Sequence, residues 1–276
     1  MDFDFASLPR YDDSNLHLLV DRPPATDDGA PECLPRRTIC GGPGTAEMGL
    51  APVLDFPDLL VDQKDWKEVI RVCHELELFP MYHMANTGLD LKSWYQNGIG
   101  YCWTWGLTGA VMGARAVEGQ PFVLLSPKSN GYMVGWRNRG FYCDEAIRNC
   151  RERGIAPAEF VPIDNHDLDP RDFKAGWQQE ALKYRPLEWW DTSPQDGALQ
   201  MISQCLAVLY TGRPLYVAHN WWAHALQVVG MTWNERVVNN VEWLHWNSHG
   251  DGVISISGAK GCPDEAYGVR ASTIAS

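Results

Sequence analysis

Cys102 is the residue on which chemistry is most readily built. It opens the run Cys-Trp-Thr-Trp-Gly-Leu-Thr-Gly-Ala-Val-Met-Gly-Ala-Arg-Ala-Val, residues 102–117. Apolar positions recur at three- and four-residue spacings through Trp105, Ala110, Met112 and Val117, which predicts a helix despite the glycines. Gly98 and Gly100 mark a tight turn just upstream. The thiol then sits in the first helical turn, where unpaired amides and the positive end of the dipole favour a thiolate, the nucleophilic form. Read alone, a free Cys beside two tryptophans is also an ordinary small core residue. Its partners decide between the two.

Two later segments supply partners. His224 stands at the mouth of an apolar run, Trp221-Trp222-Ala223-His224-Ala225-Leu226-Gln227-Val228-Val229-Gly230. Asn247 lies in Trp246-Asn247-Ser248-His249-Gly250-Asp251-Gly252, ahead of the strand-like Val253-Ile254-Ser255-Ile256. The order Gln96, Cys102, His224, Asn247, with these neighbours, resembles the papain-like cysteine peptidases. Gln96, Gly100, Cys102 and Trp103 match that family's first motif, His224-Ala225 and Val229-Gly230 its second, and Asn247-Ser248 with Gly250 its third. His224 follows Cys102 by 122 positions and Asn247 by 145, near the roughly 130–150 of this family. Leu125-Ser126-Pro127 and the segment Gly140–Ile147, ending at Gly154-Ile155, are similar to family segments as well, so the likeness covers about residues 90–258.

The resemblance implies roles. Cys102 would be the nucleophile, His224 the acid and base, and Asn247 the residue that orients the imidazole. The Gln96 amide and the Cys102 backbone N–H would form the oxyanion hole. Gly140, Phe141 and Ala223 would bind substrate. No cofactor and no metal is implied. Three positions depart from the family pattern. Ile99 stands where many secreted members have a disulfide cysteine, Trp222-Ala223 replaces the polar residue that often precedes the histidine, and His249 replaces a Trp that shields the Asn–His bond. Trp246 or Trp243 is the expected substitute shield. His219 and His245 compete for the imidazole role but lack the motif context.

Composition narrows the class. The chain has 276 residues, 45% hydrophobic and 21% charged, with 13 tryptophans and a formal net charge of −12. This suits one large globular domain or two lobes around a shared core. Without a basic run there is no electrostatic footprint for nucleic acid. No stretch reaches the roughly 18 apolar residues of a membrane span, and the acidic opening MDFDFASLPRYDD is not a secretory signal. Cys143 and Cys150 are two helical turns apart, about 10 Å, too far to bridge. Most of the eight cysteines are therefore expected as free thiols, in a cytoplasmic or virion setting. Cys33 and Cys40 are a loop disulfide or two idle thiols, and their spacing does not suit zinc.

The elements that must position the site follow in order. Residues 1–60, rich in Pro, Gly and Asp, read as an irregular extended arm, with Gly41-Gly42-Pro43-Gly44 as turns rather than a phosphate loop. The arm is read as a permanent part of the fold that packs on a lobe or on a neighbouring chain; a removable propeptide is the alternative. Residues 63–78 predict an amphipathic helix, with Trp66, Val69, Ile70, Cys73 and Leu76 on one face and His74 at its surface or end. A helix over 144–153, loops over 156–194 anchored by Trp189-Trp190, and a helix over 194–210 come next. The polar Asp164-Asn165-His166-Asp167 reads as a solvated loop. Antiparallel strands are expected at 214–218, 226–231, 236–241 and 253–256.

Helices early and strands late predict an α+β fold. The resemblance makes it a two-lobed papain-like one: a helical lobe with the Cys-bearing helix, an antiparallel β-barrel-like lobe, and an N-terminal extension. The expected division is 1–90, 91–193 and 194–276. The implied function is thiol-dependent hydrolysis of a peptide or protein substrate. The alternative is a papain-fold binding or structural protein with weak or no turnover, for instance a virion component assembled through the N-terminal arm. Glu188-Trp189-Trp190-Asp191 and Asn220–His224 resemble segments of bacteriophage-borne papain-like proteins.

Overall fold

In the computed structural model the chain is described for residue 5 and for residues 7–20, 60–96, 99–135, 140–163, 169–192 and 197–271. Gly98, Cys33, Cys40, the turns at 41–44, the polar loop at 164–167 and most of the N-terminal arm lie outside those residues. The elements, in order, are β1 (Arg10–Tyr11), α1 (His17–Val20), α2 (Trp66–Glu75), α3 (Pro80–Ala85), α4 (Cys102–Val117), α5 (Pro127–Met133), α6 (Cys143–Arg153), α7 (Trp177–Ala181), β2 (Pro186–Asp191), α8 (Ala198–Tyr210), β3 (Leu215–His219), β4 (His224–Trp233), β5 (Val241–Asn247), β6 (Gly252–Ile256) and β7 (Glu265–Ala271). The fold is α+β.

The strands form one seven-stranded sheet in the order β1-β6-β5-β4-β3-β7-β2. Every pair is antiparallel except β1 with β6. β4 and β5 are buried almost throughout, and both carry buried polar residues, among them His224, Gln227, Glu242, His245 and Asn247. α4 lies against this sheet and is buried from Cys102 through Arg115. Its small residues permit that approach. A Cβ built on Gly106 would meet the Leu226 backbone at 3.0 Å, and one on Gly109 would fall 2.2 Å from the Gln227 amide. Only a helix with glycine at both positions sits this close to β4.

α2 shows its amphipathic pattern in space. Trp66, Ile70 and Cys73 face the core, while Arg71 pairs outward with Glu68 and Glu75. His74 ends this helix half-buried, accepting from Tyr82 Oη through Nδ1 and donating Nε2–H to the Met231 carbonyl, both at 2.8 Å. The hydrogen bonds to a tyrosine and a β4 carbonyl make it a tertiary clamp.

Three expectations change. Residues 236–241 are not a strand; Asn239 and Asn240 both take φ of +59° and form a turn, a conformation asparagine tolerates better than most residues. The strand begins at Val241. The segment read as loops over 156–194 contains β2, an outer strand that pairs with β7 and carries the buried Trp189. The described start of the arm is ordered rather than irregular: Arg10 and Tyr11 pair with Ser255 and Ile256, and Leu16 and Leu19 are buried. The Arg10 guanidinium reaches the Glu242 carboxylate at 3.0 Å, which also accepts from Thr232, Asn234 and Ser255.

Candidate active site

Cys102 is the first residue of α4 and is fully buried. Two bonds pin the first turn of α4 to the sheet: Tyr216 Oη donates to the Trp103 carbonyl at 2.7 Å, and Gln227 Nε2 to the Trp105 carbonyl at 3.2 Å. Gly106 faces Leu226 and Gly109 faces Gln227, so α4 and β4 run in the same direction. Cys102 lies one turn before Gly106, about 6 Å along the axis. His224 lies two residues before Leu226, about 6.8 Å along the strand. Cys102 and His224 are the first residues of α4 and β4.

His224 is buried, and its Nε2 lies 3.0 Å from Asn247 Oδ1. Asn247 ends β5, one residue beyond the Trp246 that pairs with Gln227. Its Nδ2 donates in turn to Asp251 Oδ2 at 3.0 Å. Ala223, just before the histidine, has φ of +51°, so the chain turns sharply as it enters β4.

Gln96 reaches this group from the other side. Its backbone N–H donates to the Ser248 carbonyl at 2.7 Å, and Tyr95 bridges His249. The side chain is held at both ends: Oε1 accepts from Ser248 Oγ at 2.5 Å, and Nε2 donates to the Ile99 carbonyl at 2.7 Å. Trp94 stacks on Trp246 of β5 with centroids 5.0 Å apart and meets Trp105 of α4 edge-on at 4.4 Å. The Gln96 segment is thus locked to both the cysteine helix and the asparagine strand. The loop between β5 and β6 permits this because Gly250 and Gly252 take φ of +83° and +73°, values that favour glycine.

Gly140 is buried and Phe141 half-buried, with the Phe141 ring 4.8 Å from that of Trp103. The rings against His224 are Trp222 and His249, each with its centroid 4.3 Å away. They replace the expected Trp246 or Trp243. Trp246 is committed elsewhere, stacked on Trp94 and donating to the Leu91 carbonyl at 2.8 Å. Trp222 donates its indole N–H to the Leu19 carbonyl at 3.1 Å. The ordered start of the chain therefore holds a ring that packs on His224.

His219 and His245 form a separate buried pair, with their Nε2 atoms 3.1 Å apart. Trp221 Nε1–H donates to His219 Nδ1 at 3.3 Å, and His245 Nδ1 lies 3.1 Å from the Trp243 carbonyl. An indole N–H only donates and a carbonyl only accepts. His219 therefore carries its proton on Nε2 and His245 on Nδ1, and both rings are neutral and satisfied. Burial is the main cause that drives His219 well below the ordinary histidine value, aided by the charges of His245 and His224. Burial likewise lowers His245 to about 3. Neither competes for the proton work.

Four of the other five described thiols are poor nucleophiles. Burial pushes Cys73 and Cys262 up to about 12 and raises Cys150 and Cys205 too. The six described cysteines are all free thiols. Among the described residues no group of three or more His, Cys, Asp or Glu is arranged to hold a metal ion, and no helix is long and apolar enough to cross a membrane.

No protein-family model matches the chain, and no curated protein matches it in sequence. Its fold does have solved counterparts. Digestive procathepsin L 3 from the larval midgut of Tenebrio molitor superposes with a TM-score of 0.51 at 17% identity, over 64% of this chain and 65% of that one. The fold is papain-like. Bromelain protease from Ananas comosus matches with a TM-score of 0.49 at 16% identity, over 64% of this chain and 91% of that one. Xylellain, a cysteine protease from Xylella fastidiosa, matches at 0.46 and 19%, over 62% and 80%. These counterparts are papain-like cysteine proteases. The papain-like chain described here thus spans just under two thirds of the procathepsin's length.

Sequence reasoning named Gln96, Cys102, His224 and Asn247; the fold brings His224 to Asn247 and Gln96 to Ser248, the residue after Asn247, and puts Cys102 at the start of α4. It missed three supports. Ser248 holds Gln96, Trp222 packs on His224, and Asp251 bonds Asn247. Only Ser248 had a signal, its place beside Asn247 in the motif.

Proposed function

We propose that the chain is a papain-like thiol peptidase in which Cys102 attacks the carbonyl carbon of a peptide bond. The observation that carries this reading is the 3.0 Å contact of His224 Nε2 with Asn247 Oδ1. With Nε2 engaged, Nδ1 is the nitrogen assigned to exchange a proton with the thiol. Cys102 as thiolate and His224 as imidazolium form the reactive pair, helped by the helix N-terminus.

Attack forms the C–S bond and places the carbonyl electron pair on oxygen. That oxyanion is assigned to the Cys102 backbone N–H and to Gln96 Nε2, an amide with two protons of which the Ile99 carbonyl takes one. His224 gives its proton to the leaving amine, and the C–N bond breaks to leave a thioester. A water loses a proton to His224, adds to the thioester and releases the acid and the thiolate. Gly140 and Phe141, beside Trp103, and Ala223, beside His224, are assigned to the substrate. The divisions 1–90, 91–193 and 194–276 remain our proposed domains, with β1 contributed to the sheet by the first.

A second reading, a papain-like scaffold without turnover, is favoured by one observation. Cys102 is 0% exposed and His224 1%, so a substrate reaches them only after a covering segment moves. Hydrolysis of a fluorogenic peptide library under reducing conditions separates the two. The peptidase reading expects turnover that disappears in Cys102→Ala. Absence of turnover from every peptide, with Cys102 still open to alkylation, would leave the scaffold.

A further inference from the structure

We propose that Asp251 is a positioning residue for the site, acting on His224 through Asn247. This rests on the peptidase reading above and adds a member to its machinery. An ionised carboxylate only accepts hydrogen bonds. Its contact with Asn247 Nδ2 at 3.0 Å therefore turns the amide so that Oδ1 points the other way. That oxygen can only accept, so the ring nitrogen 3.0 Å from it, His224 Nε2, must be the one that carries the proton. The proton-exchanging lone pair is then on Nδ1. Without the carboxylate the amide could reverse, offering its NH2 to the ring and favouring the wrong tautomer.

The loop is built to hold this contact. Asn247 pairs with Gly252 across the β5–β6 turn, which returns Asp251 to the asparagine that opens it. Segment 91–95 backs the turn: the Trp94 carbonyl accepts from the Gly250 N–H at 3.3 Å, and Lys92 packs against Gly252. The other titratable groups that bear on His224 are His249 in ring contact, His219 of β3 and His245 of β5, both held neutral, and Cys102. Lys92 faces the loop with the opposite sign. Asp251 is thus the acid that meets the His224–Asn247 pair by a direct bond.

Asp251→Asn and Asp251→Ala test the idea, read by NMR of the imidazole nitrogens and protons and by peptide turnover. In the wild type the Nε2–H form of His224 should dominate. Asp251→Ala should admit the Nδ1–H form. Asp251→Asn is isosteric and still accepts from Asn247; it should keep the tautomer. Turnover in Asp251→Ala should fall at least tenfold with KM little changed. An Asp251→Ala protein in which the Nε2–H form of His224 dominates as fully as in the wild type would overturn the proposal. The NMR readout does not require a reactive thiol, so a chain without turnover would sink the peptidase reading while still judging the hold of Asp251 on Asn247.

Discussion

Replacing Gly109 by alanine asks whether the close approach of α4 to β4 sets the site. The new Cβ would fall 2.2–2.5 Å from the nitrogen, carbon and oxygen of the Gln227 amide. That side chain is 1% exposed and bonded to the Trp105 carbonyl, so it has no open space to enter. Three terms compete. Alanine in a helix interior gains about 1 kcal/mol over glycine. Overpacking costs about 1–3 kcal/mol, and the lost Gln227 bond about 1 kcal/mol more. The net is a destabilisation of about 1–3 kcal/mol, or a Tm lower by roughly 3–8 °C for a chain of this size. Because α4 must move outward, the Cys102 end of the helix shifts away from its proposed partner His224, and alkylation of Cys102 at pH 6 should slow by ~10- to 100-fold. Gly113→Ala is the control, since its Cβ meets the flexible end of Met84 and Pro214 at 3.0 Å. A Gly109→Ala protein with unchanged Tm and unchanged Cys102 reactivity would refute the reasoning.

Other expectations follow from single contacts. Gln96→Ala should lower kcat by ~10²–10³ with little change in Tm, and Ser248→Ala should do less, because it only loosens the amide; equal losses would mean Gln96 is purely structural. His219 and His245 have folded-state values below the unfolded one, so the stability they confer is complete above about pH 6.5 and is lost as pH falls from there toward 3. At pH 5.5 each costs about 1.4 kcal/mol; denaturant titrations at pH 7.5 and 5.5 should show a shallower loss in His245→Gln than in the wild type. Arg10→Ala strips the ion pair from the buried Glu242 and should cost about 2 kcal/mol, while intact protein in reducing buffer should keep residues 7–20 by mass spectrometry. Cys102-dependent loss of that segment would reveal a propeptide.

How far the sequence could be read depended on the kind of signal. α4 was legible because its run of small and apolar residues suits only a buried helix, and the pairing of His224 with Asn247 because the neighbours of both lie in contiguous motifs. β1 was not, since two residues carry no periodicity and their pairing with β6 depends on chain more than 240 positions away. Val237 and Val238 imitated a strand that two left-handed asparagines prevent. Asp251 looked like any turn acid between glycines, and only the returned loop shows that it meets Asn247. The cover over His224 was assigned to tryptophans of β5, whereas local geometry gives it to Trp222 and His249.

The central claim is that Cys102 and His224 share a proton, and the pH dependence of Cys102 alkylation tests it most directly. A lone thiol ionises near ~8.5, whereas one paired with histidine at a helix N-terminus can fall to ~3–4. The rate constant for iodoacetamide at pH 6, divided by that at pH 9, reports the ionised fraction without comparing different thiols. The account predicts that Cys102 keeps at least roughly a tenth of its pH 9 rate at pH 6, and that His224→Ala drops this ratio to about 0.01 or less. A wild-type ratio already at that low value would contradict it.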